Sequence, residues 1–180
     1  MHRLFALLMG ILLLSSCGAP RERSAGSEEL RHGTAPESLT ASLQFRILEE
    51  RGLARTVGIV VSNPANIPIQ SVRSWVRFDP AFLTIQNLSM EDDRFTLFAP
   101  GERAIASGEG LLKIGAASRE PIRDREMLLA TFMVRVRSSP QHPLLSFEDW
   151  RPDGNGHTAI LSLGPGGTRN ILQEPSSLSL

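Results

Sequence analysis

The chain has 180 residues, and its 19 basic and 19 acidic side chains give a formal net charge of zero at pH 7. A chain of this length holds one domain plus a targeting segment, and its balanced charge argues against nucleic acid as a partner. It contains one cysteine, two tryptophans and no tyrosine. This composition excludes an intramolecular disulfide and leaves few aromatic rings for a sugar-binding surface.

The first 16 residues have the pattern of a bacterial export signal. Arg3 precedes an apolar stretch over residues 4–14, which is too short to cross a membrane as a helix. The stretch runs into Leu14-Ser15-Ser16-Cys17, which resembles the lipobox of bacterial lipoproteins. The resemblance implies that Cys17 is lipidated and becomes the mature N-terminus. The alternative is an ordinary signal peptide with an incidental cysteine.

A lipidated Cys17 would be a membrane anchor, because buried acyl chains hold a protein to a bilayer. Gly18 follows the cysteine where an aspartate would favour the inner membrane, so we expect the outer membrane or the cell surface. Residues 17–40 are rich in Gly, Ser, Pro, Glu and Arg, and such a segment cannot bury enough surface to offset its ordering entropy. They are predicted to form a flexible tether ahead of a domain at 41–173.

Alternating apolar residues predict the strands in the first half of this domain. Residues 43–47 and 55–61 predict a hairpin with its turn at 49–52. A second turn is predicted at 63–66, where Asn-Pro-Ala-Asn interrupts the apolar pattern. Residues 72–78 predict the third strand, which Asp79-Pro80 ends because proline cannot donate to a strand ladder.

Short apolar runs separated by turn-forming residues continue to the end of the chain. Further strands are predicted at 82–85, 95–98, 111–115, 127–137, 144–147, 158–163 and 168–172. Turns are predicted at 99–102 and 107–110, a charged loop with one helical turn at most at 118–126, and a disordered tail at 174–180. About nine short strands and no amphipathic helix predict an all-β fold, an antiparallel β-sandwich.

Two stretches of the domain resemble the cohesin family. One is a strand ending in an aromatic-Asp-Pro corner that a leucine and a β-branched residue follow, here Phe78, Asp79, Pro80, Leu83 and Ile85. The other, residues 128–136, is similar to the cohesin strand L-A-x-F-x-V. The resemblance spans residues 43–172 and implies a nine-stranded jelly roll. It also implies binding of dockerin modules through one sheet face, in assemblies that degrade polysaccharides.

Catalytic patterns do not emerge from the sequence. His32, His142 and His157 fall in the tether or in loops without catalytic spacing, and no G-x-S-x-G is present. The paired carboxylates at 49–50, 91–93 and 148–149 fall in turn-like segments, whereas acid–base catalysis needs two carboxyl groups that face each other. We therefore predict that the protein is not an enzyme and has no organic cofactor.

One loop offers oxygen ligands for a metal ion. Asp149, Asp153 and Asn155 have the ligand chemistry that Ca²⁺ prefers. Their spacing is not that of an EF-hand, and Asp, Asn, Gly and Pro are also the residues of an ordinary loop. Calcium is therefore the only ion that the sequence suggests, beside the alternative of a plain loop.

The third strand presents an Arg-Trp-Arg ridge on the face opposite its apolar residues. Arg73, Trp75 and Arg77 combine aromatic area with planar hydrogen-bond donors, as residues that dominate protein interfaces do. Arg135 and Arg137 take the corresponding face of their own strand. These five residues are the predicted partner-binding set. The alternative is that Trp75 packs under a loop or a crossing strand.

These observations predict a lipid-anchored, non-catalytic binding module of the cell envelope. The partner is expected to be a dockerin or another envelope protein. One alternative is a carbohydrate-binding lipoprotein, which would bind polysaccharide and needs a row of exposed aromatic rings. Another is a structural accessory lipoprotein of a secretion or pilus machine, where sheet domains pair by their edge strands.

Overall fold

In the computed structural model, the regular structure of the described residues consists of eleven strands and one turn of 3₁₀ helix at Ser107–Glu109. The structure describes residues 40–137, 142–151, 153 and 155–180. The predicted export signal, Cys17, His32 and nearly all of the predicted tether lie outside these residues. The strands are β1 (Ser42–Arg51), β2 (Ala54–Ser62), β3 (Ile69–Arg77), β4 (Leu83–Met90), β5 (Phe95–Ala106), β6 (Leu111–Ile122), β7 (Glu126–Val136), β8 (Leu144–Phe147), β9 (Ala159–Gly164), β10 (Gly167–Asn170) and β11 (Leu178–Ser179).

The strands form two antiparallel sheets. The smaller sheet has the order β1-β2-β7-β4, and the larger sheet has the order β10-β9-β3-β6-β5. In the larger sheet β8 also pairs with the end of β3, and β11 pairs with β8. Four of the neighbouring pairs, β2-β7, β7-β4, β9-β3 and β3-β6, join strands that are not consecutive in the chain, as expected for a jelly-roll sandwich. The predicted all-β sandwich is confirmed, with eleven strands where the sequence predicted about nine.

The core lies between the two sheets and follows the predicted alternation. Val57, Ile59 and Val61 of β2 are fully buried in one sheet, and Val72 and Val76 of β3 face them from the other sheet within the same apolar cluster. Alternate residues of a strand point to opposite faces. Because Val72 and Val76 face the core, Arg73, Trp75 and Arg77 lie on the outer face of the larger sheet.

The predicted corner after the third strand is confirmed in detail. Asp79 accepts hydrogen bonds at its carbonyl from the backbone N–H groups of Phe82 (3.1 Å) and Leu83 (2.9 Å). Its carboxylate accepts a third from the N–H of Ala81 at 2.8 Å. The backbone N–H of Phe78 donates to the Gly110 carbonyl at 2.9 Å. β3 ends at Arg77, just before this corner and Pro80, as the sequence predicts.

Four segments differ from the sequence-based prediction. The predicted turn at 49–52 lies later, at 52–53, because β1 continues to Arg51 in register with β2. The predicted turn at 99–102 is an irregularity inside the long strand β5, with Gly101 at φ 78°. The predicted charged loop at 118–126 is largely the end of β6, because β3 and β5 supply ladder partners that local sequence does not show. The predicted disordered tail contains β11, and Leu178 and Leu180 pack against the core.

In the described ranges, no helix is long and apolar enough to span a bilayer.

Candidate functional site

A groove of about 360 Å³ crosses the outer face of the larger sheet over β9, β3, β6 and β5. We call it the sheet groove and define it by two rows of side chains. The strand register sets the first row as Leu161, Ser71, Ala117 and Leu97. The second row is Ala159, Arg73 and Gly115, with Glu102 of β5 above Gly115.

Small residues in both rows create the depression. Ser71, Ala117, Ala159 and Gly115 present little or no side chain on this face. Leu97, which is 47% exposed, stands at one border of the groove. The result is an uneven apolar trough that is open to solvent.

Trp75 closes one end of the sheet groove. The ring of His157 stacks on its indole with centroids 3.8 Å apart and an interplanar angle of 5°. The Nζ of Lys113 lies 4.8 Å from the indole centroid, which is cation–π distance. β3 lies between β9 and β6 in the sheet, so His157 approaches from one side and Lys113 from the other. Trp75 is half-buried.

A hydrogen bond fixes the rotation of this indole. Its Nε1–H donates to Oε2 of Glu102 at 2.8 Å. Glu102 can reach that nitrogen because Gly115 below it has no side chain, and a Cβ there would come within 2.7 Å of Oε2. The glycine, the glutamate and the tryptophan therefore form one packed unit across β6, β5 and β3.

The loop between β8 and β9 positions His157. Oδ2 of Asp149 accepts the backbone N–H of His157 at 3.3 Å. The Thr158 hydroxyl donates to the Glu148 carbonyl at 2.6 Å. Gly156 packs so closely on the Asp149 carbonyl that a Cβ would collide with it. Glycine is thus required for the loop to fold back over Trp75.

The two arginines beside Trp75 differ in their partners. Arg77 forms a bidentate pair with Glu148, with N···O distances of 2.9 and 2.7 Å. The hydrogen bonds from Arg77 lower the pKa of the Glu148 carboxyl below its ordinary value. Arg73 donates one long hydrogen bond, 3.3 Å from Nη1 to the Gly156 carbonyl. No carboxylate oxygen of the described residues lies within 4 Å of its guanidinium.

The five predicted partner-binding residues do not share one surface. Arg73, Trp75 and Arg77 lie on the larger sheet, whereas Arg135 belongs to β7 of the smaller sheet and Arg137 follows that strand. Arg135 points away from the core, next to buried Val134. The two groups therefore occupy opposite outer faces of the sandwich. Alternation predicts which face of a strand a residue occupies, but not which sheet the strand joins.

The residues predicted as calcium ligands have protein partners in the described loop. Asp149 pairs with Arg151 at 2.8 Å, and Asp153 accepts the side-chain amide of Asn155 at 3.0 Å. Within the part of the chain that the structure describes, no group of three or more His, Cys, Asp or Glu residues has a geometry suited to a metal ion. Calcium binding stays a prediction.

Local sequence does not predict most of the sheet groove. It predicts Glu102 in a turn, Gly115 at the end of a strand and His157 in a loop without catalytic spacing. The sequence carries no signal for their meeting, because Trp75, Glu102, Gly115 and His157 come from separate segments that only the sheet order brings together.

No protein-family model and no curated protein matches the sequence. Solved structures do match the fold. The cohesin module of a family 33 glycoside hydrolase from Clostridium perfringens has a TM-score of 0.55 at 14% identity, covering 79% of this chain and 96% of that module. A chain of the type I cohesin–dockerin complex Coh-OlpA–Doc918 from Clostridium thermocellum has a TM-score of 0.56 at 13% identity, covering 78% of this chain and 96% of that one.

The solution structure of the cohesin CaCohA2 from Clostridium acetobutylicum has a TM-score of 0.55 at 12% identity, covering 79% of this chain and 90% of that one. All three comparisons span the sandwich and nearly the whole of each cohesin. At such low identity these matches show a shared architecture and do not assign roles to individual residues. The described part of this chain therefore has the cohesin fold.

Proposed function

We propose that the protein is a non-catalytic recognition module that binds a partner protein through the sheet groove. The observation that carries the proposal is the groove itself, an apolar trough bordered by Trp75 and Arg73 on the open face of a sheet. Tryptophan and arginine are enriched among residues that dominate protein interfaces. Solved proteins of this fold include cohesins in complex with dockerins.

The titratable groups of the groove act as structural supports. Glu102 accepts the indole N–H of Trp75, and His157 stacks on the same ring. A side chain held in this way is preorganised for contact with a partner, which lowers the entropy lost on binding. This use of Glu102 and His157 supports binding as the role of the site.

A protein partner fits the groove better than a polysaccharide does. Sugar binding through stacking needs an exposed aromatic ring face, whereas the His157 ring stacks on the Trp75 indole and the Lys113 ammonium lies 4.8 Å from its centroid. The surface beside Trp75 is an uneven trough bordered by Leu97 and Leu161. Such an uneven surface can accommodate the protruding side chains of a protein.

Lipid anchoring at Cys17 is part of the same proposal. The anchor would hold the module at the outer membrane or the cell surface, with residues 17–40 as a tether that lets the groove reach its partner. A dockerin or another envelope protein is the partner proposed, and a link to polysaccharide degradation follows if that partner belongs to a degradative enzyme. Labelling of the cells with an alkyne fatty acid should mark the wild-type chain and not Cys17→Ser.

Site-specific photo-crosslinking in the living envelope tests the groove. A benzophenone amino acid replaces Leu97 at the groove or, as the matched control, exposed Arg135 on the opposite sheet. We expect a discrete protein adduct from position 97 that Trp75→Ala abolishes, and none from position 135. Equal adducts at both positions, or none at either, would favour a structural role. Adducts to polysaccharide alone would favour the carbohydrate-binding alternative.

A further inference from the structure

We infer that the partner presents a carboxylate to Arg73, beside an apolar side chain that lies in the first row of the sheet groove. This inference rests on the proposed function and specifies the chemistry of the partner. It follows from the charge, burial and neighbours of Arg73.

Arg73 is a half-buried cation without an acidic partner among the described residues. The other half-buried arginine among them, Arg55, pairs with Glu50 at 2.8 Å. Arg46, Arg77 and Arg94 each hold a carboxylate with N···O distances of 2.8 Å or less. The guanidinium of Arg73 has the Gly156 carbonyl at 3.3 Å and no carboxylate of the described residues within 4 Å. A guanidinium has five N–H donors, so most of the donors of Arg73, which lines the groove, have no partner among the described residues.

The neighbours of Arg73 leave room for an incoming group. Ala159 and Gly115 flank it on the adjacent strands, and neither carries a side chain beyond Cβ. Glu102, the nearest acid of the second row, is bonded to the Trp75 indole at 2.8 Å. An anion that enters the groove therefore meets Arg73 without displacing a salt bridge.

The half-buried position of Arg73 favours a carboxylate over a neutral group. A charged group that is partly removed from water loses part of its hydration. A carboxylate in a bidentate pair compensates best for that lost hydration. A neutral partner that covered Arg73 would bury this charge without compensation. The groove should therefore discriminate by charge as well as by shape.

The strand register gives the spacing of the two partner groups. Ser71 and Arg73 lie two residues apart on β3, and alternate residues of a strand are about 7 Å apart. The partner should thus carry an apolar side chain and a carboxylate about 7 Å apart, for example at positions i and i+4 of a helix, which span about 6 Å. The carboxylate could belong to an Asp or Glu side chain or to a C-terminus.

The test is selection of phage-displayed random twelve-residue peptides on the full-length protein in mild detergent. Peptides that also bind Ala117→Trp, in which the groove is filled, are removed, so that groove-specific binders remain. Those binders should be enriched in Asp or Glu. The best peptide is then synthesised with its acidic residue and with Asn or Gln in place of that residue. Each of these two peptides is made with a free and with an amidated C-terminus.

The affinities of these peptides are measured against wild type, Arg73→Met and Arg135→Met. Met keeps the bulk of the Arg73 stem without its charge. Removing either the acid or the Arg73 charge should weaken binding about ten-fold, and removing both should add little more, because the two groups act as one pair. Arg135→Met should bind as the wild type does, since Arg135 lies on the other sheet.

Groove-specific peptides whose affinity depends neither on an acidic side chain nor on a free C-terminus would overturn the inference while leaving the groove as a docking site. An affinity that Arg73→Met leaves unchanged would have the same meaning. Failure to obtain any groove-specific peptide, together with no crosslink from position 97, would overturn the proposed function as well. If only the amidated C-terminus lowers affinity, the carboxylate is a chain terminus rather than a side chain.

Discussion

At the scale of single residues, charge pairing holds the exposed ends of the sandwich in place. Arg94 binds Asp92 through two N···O contacts of 2.8 and 2.6 Å and reaches Asp124 at 2.8 Å. The Asp92 side chain is only 8% exposed, so its charge depends on Arg94 for compensation. The hydrogen bonds from Arg94 lower the pKa of Asp92 below its ordinary value.

This shift predicts how stability depends on pH. A carboxyl group whose pKa is lower in the folded state stabilises the fold above its unfolded pKa of about 3.9 and loses that contribution as pH falls through the folded pKa. Between pH 5 and pH 2 the wild type should lose more free energy of unfolding than Asp92→Asn does. Urea titrations at fixed pH measure the difference. Asp93→Asn, at an exposed neighbour, should keep the wild-type slope, and equal slopes for all three proteins would contradict the prediction.

At the scale of elements, the main contribution of β6 to the groove is Gly115, which has no side chain. A Cβ at Gly115 would lie 2.7 Å from Oε2 and 2.9 Å from Cβ of Glu102. Glu102 would have to move, and Trp75 would lose its hydrogen-bond acceptor. The conformation of β5 and the orientation of Trp75 thus depend on one position of the neighbouring strand.

Gly115→Ala should therefore reduce stability by about 1 kcal/mol, the usual worth of one hydrogen bond, and change the fluorescence of Trp75. Gly164→Ala is the matched control, because nothing lies within 4 Å of a Cβ at that position. The control should be neutral or slightly stabilising through the lower entropy of the unfolded chain. Equal effects of the two substitutions would show that the Glu102 contact does not constrain Trp75.

The last strand, β11, provides a second prediction at this scale. Leu178 pairs with Leu145 in the β8 ladder, and the Leu180 N–H donates to the Pro143 carbonyl at 3.0 Å. Two half-buried leucines contribute about 2 kcal/mol together. Removing residues 178–180 should lower the free energy of unfolding by about that amount in urea titrations. Ser176→Ala, on the exposed segment before β11, should leave the free energy of unfolding unchanged. If the truncated protein also unfolds with the wild-type free energy, the end of the chain frays and does not stabilise the fold.

At the scale of the whole molecule, both sheets share one core. Phe132 of β7 is 1% exposed and belongs to the same cluster as Val72 and Val76 of β3. Neither sheet can bury its inner face without the other. Loss of packing on the smaller sheet should therefore unfold the larger sheet as well.

Phe132→Ala should lower the free energy of unfolding by about 4 kcal/mol, because it leaves a large cavity in the core. Unfolding followed by far-ultraviolet circular dichroism, which reports on both sheets, should coincide with unfolding followed by Trp fluorescence. Ser89→Ala, at an exposed position of the smaller sheet, should cost little. Two separate transitions would contradict a shared core.

Local sequence patterns are enough to predict the class of fold, the positions of most strands and the side of the apolar-alternating strands that faces the core. Apolar alternation in β2, β3 and β7 and the corner at Phe78-Asp79-Pro80 were sufficient, because these signals act between neighbours in the chain. Alternation also placed Arg73, Trp75 and Arg77 on an outer face.

Which residues meet on that face depends on the order of the strands in the two sheets. Glu102 and His157 reach Trp75 because β5 and β9 belong to the same sheet as β3, while Arg135 is on the other sheet with β7. Strand order depends on burying two sheets against each other, and a two-residue period carries no information about it. The same long-range packing placed the uncompensated charge of Arg73 in a groove, where a partner can reach it.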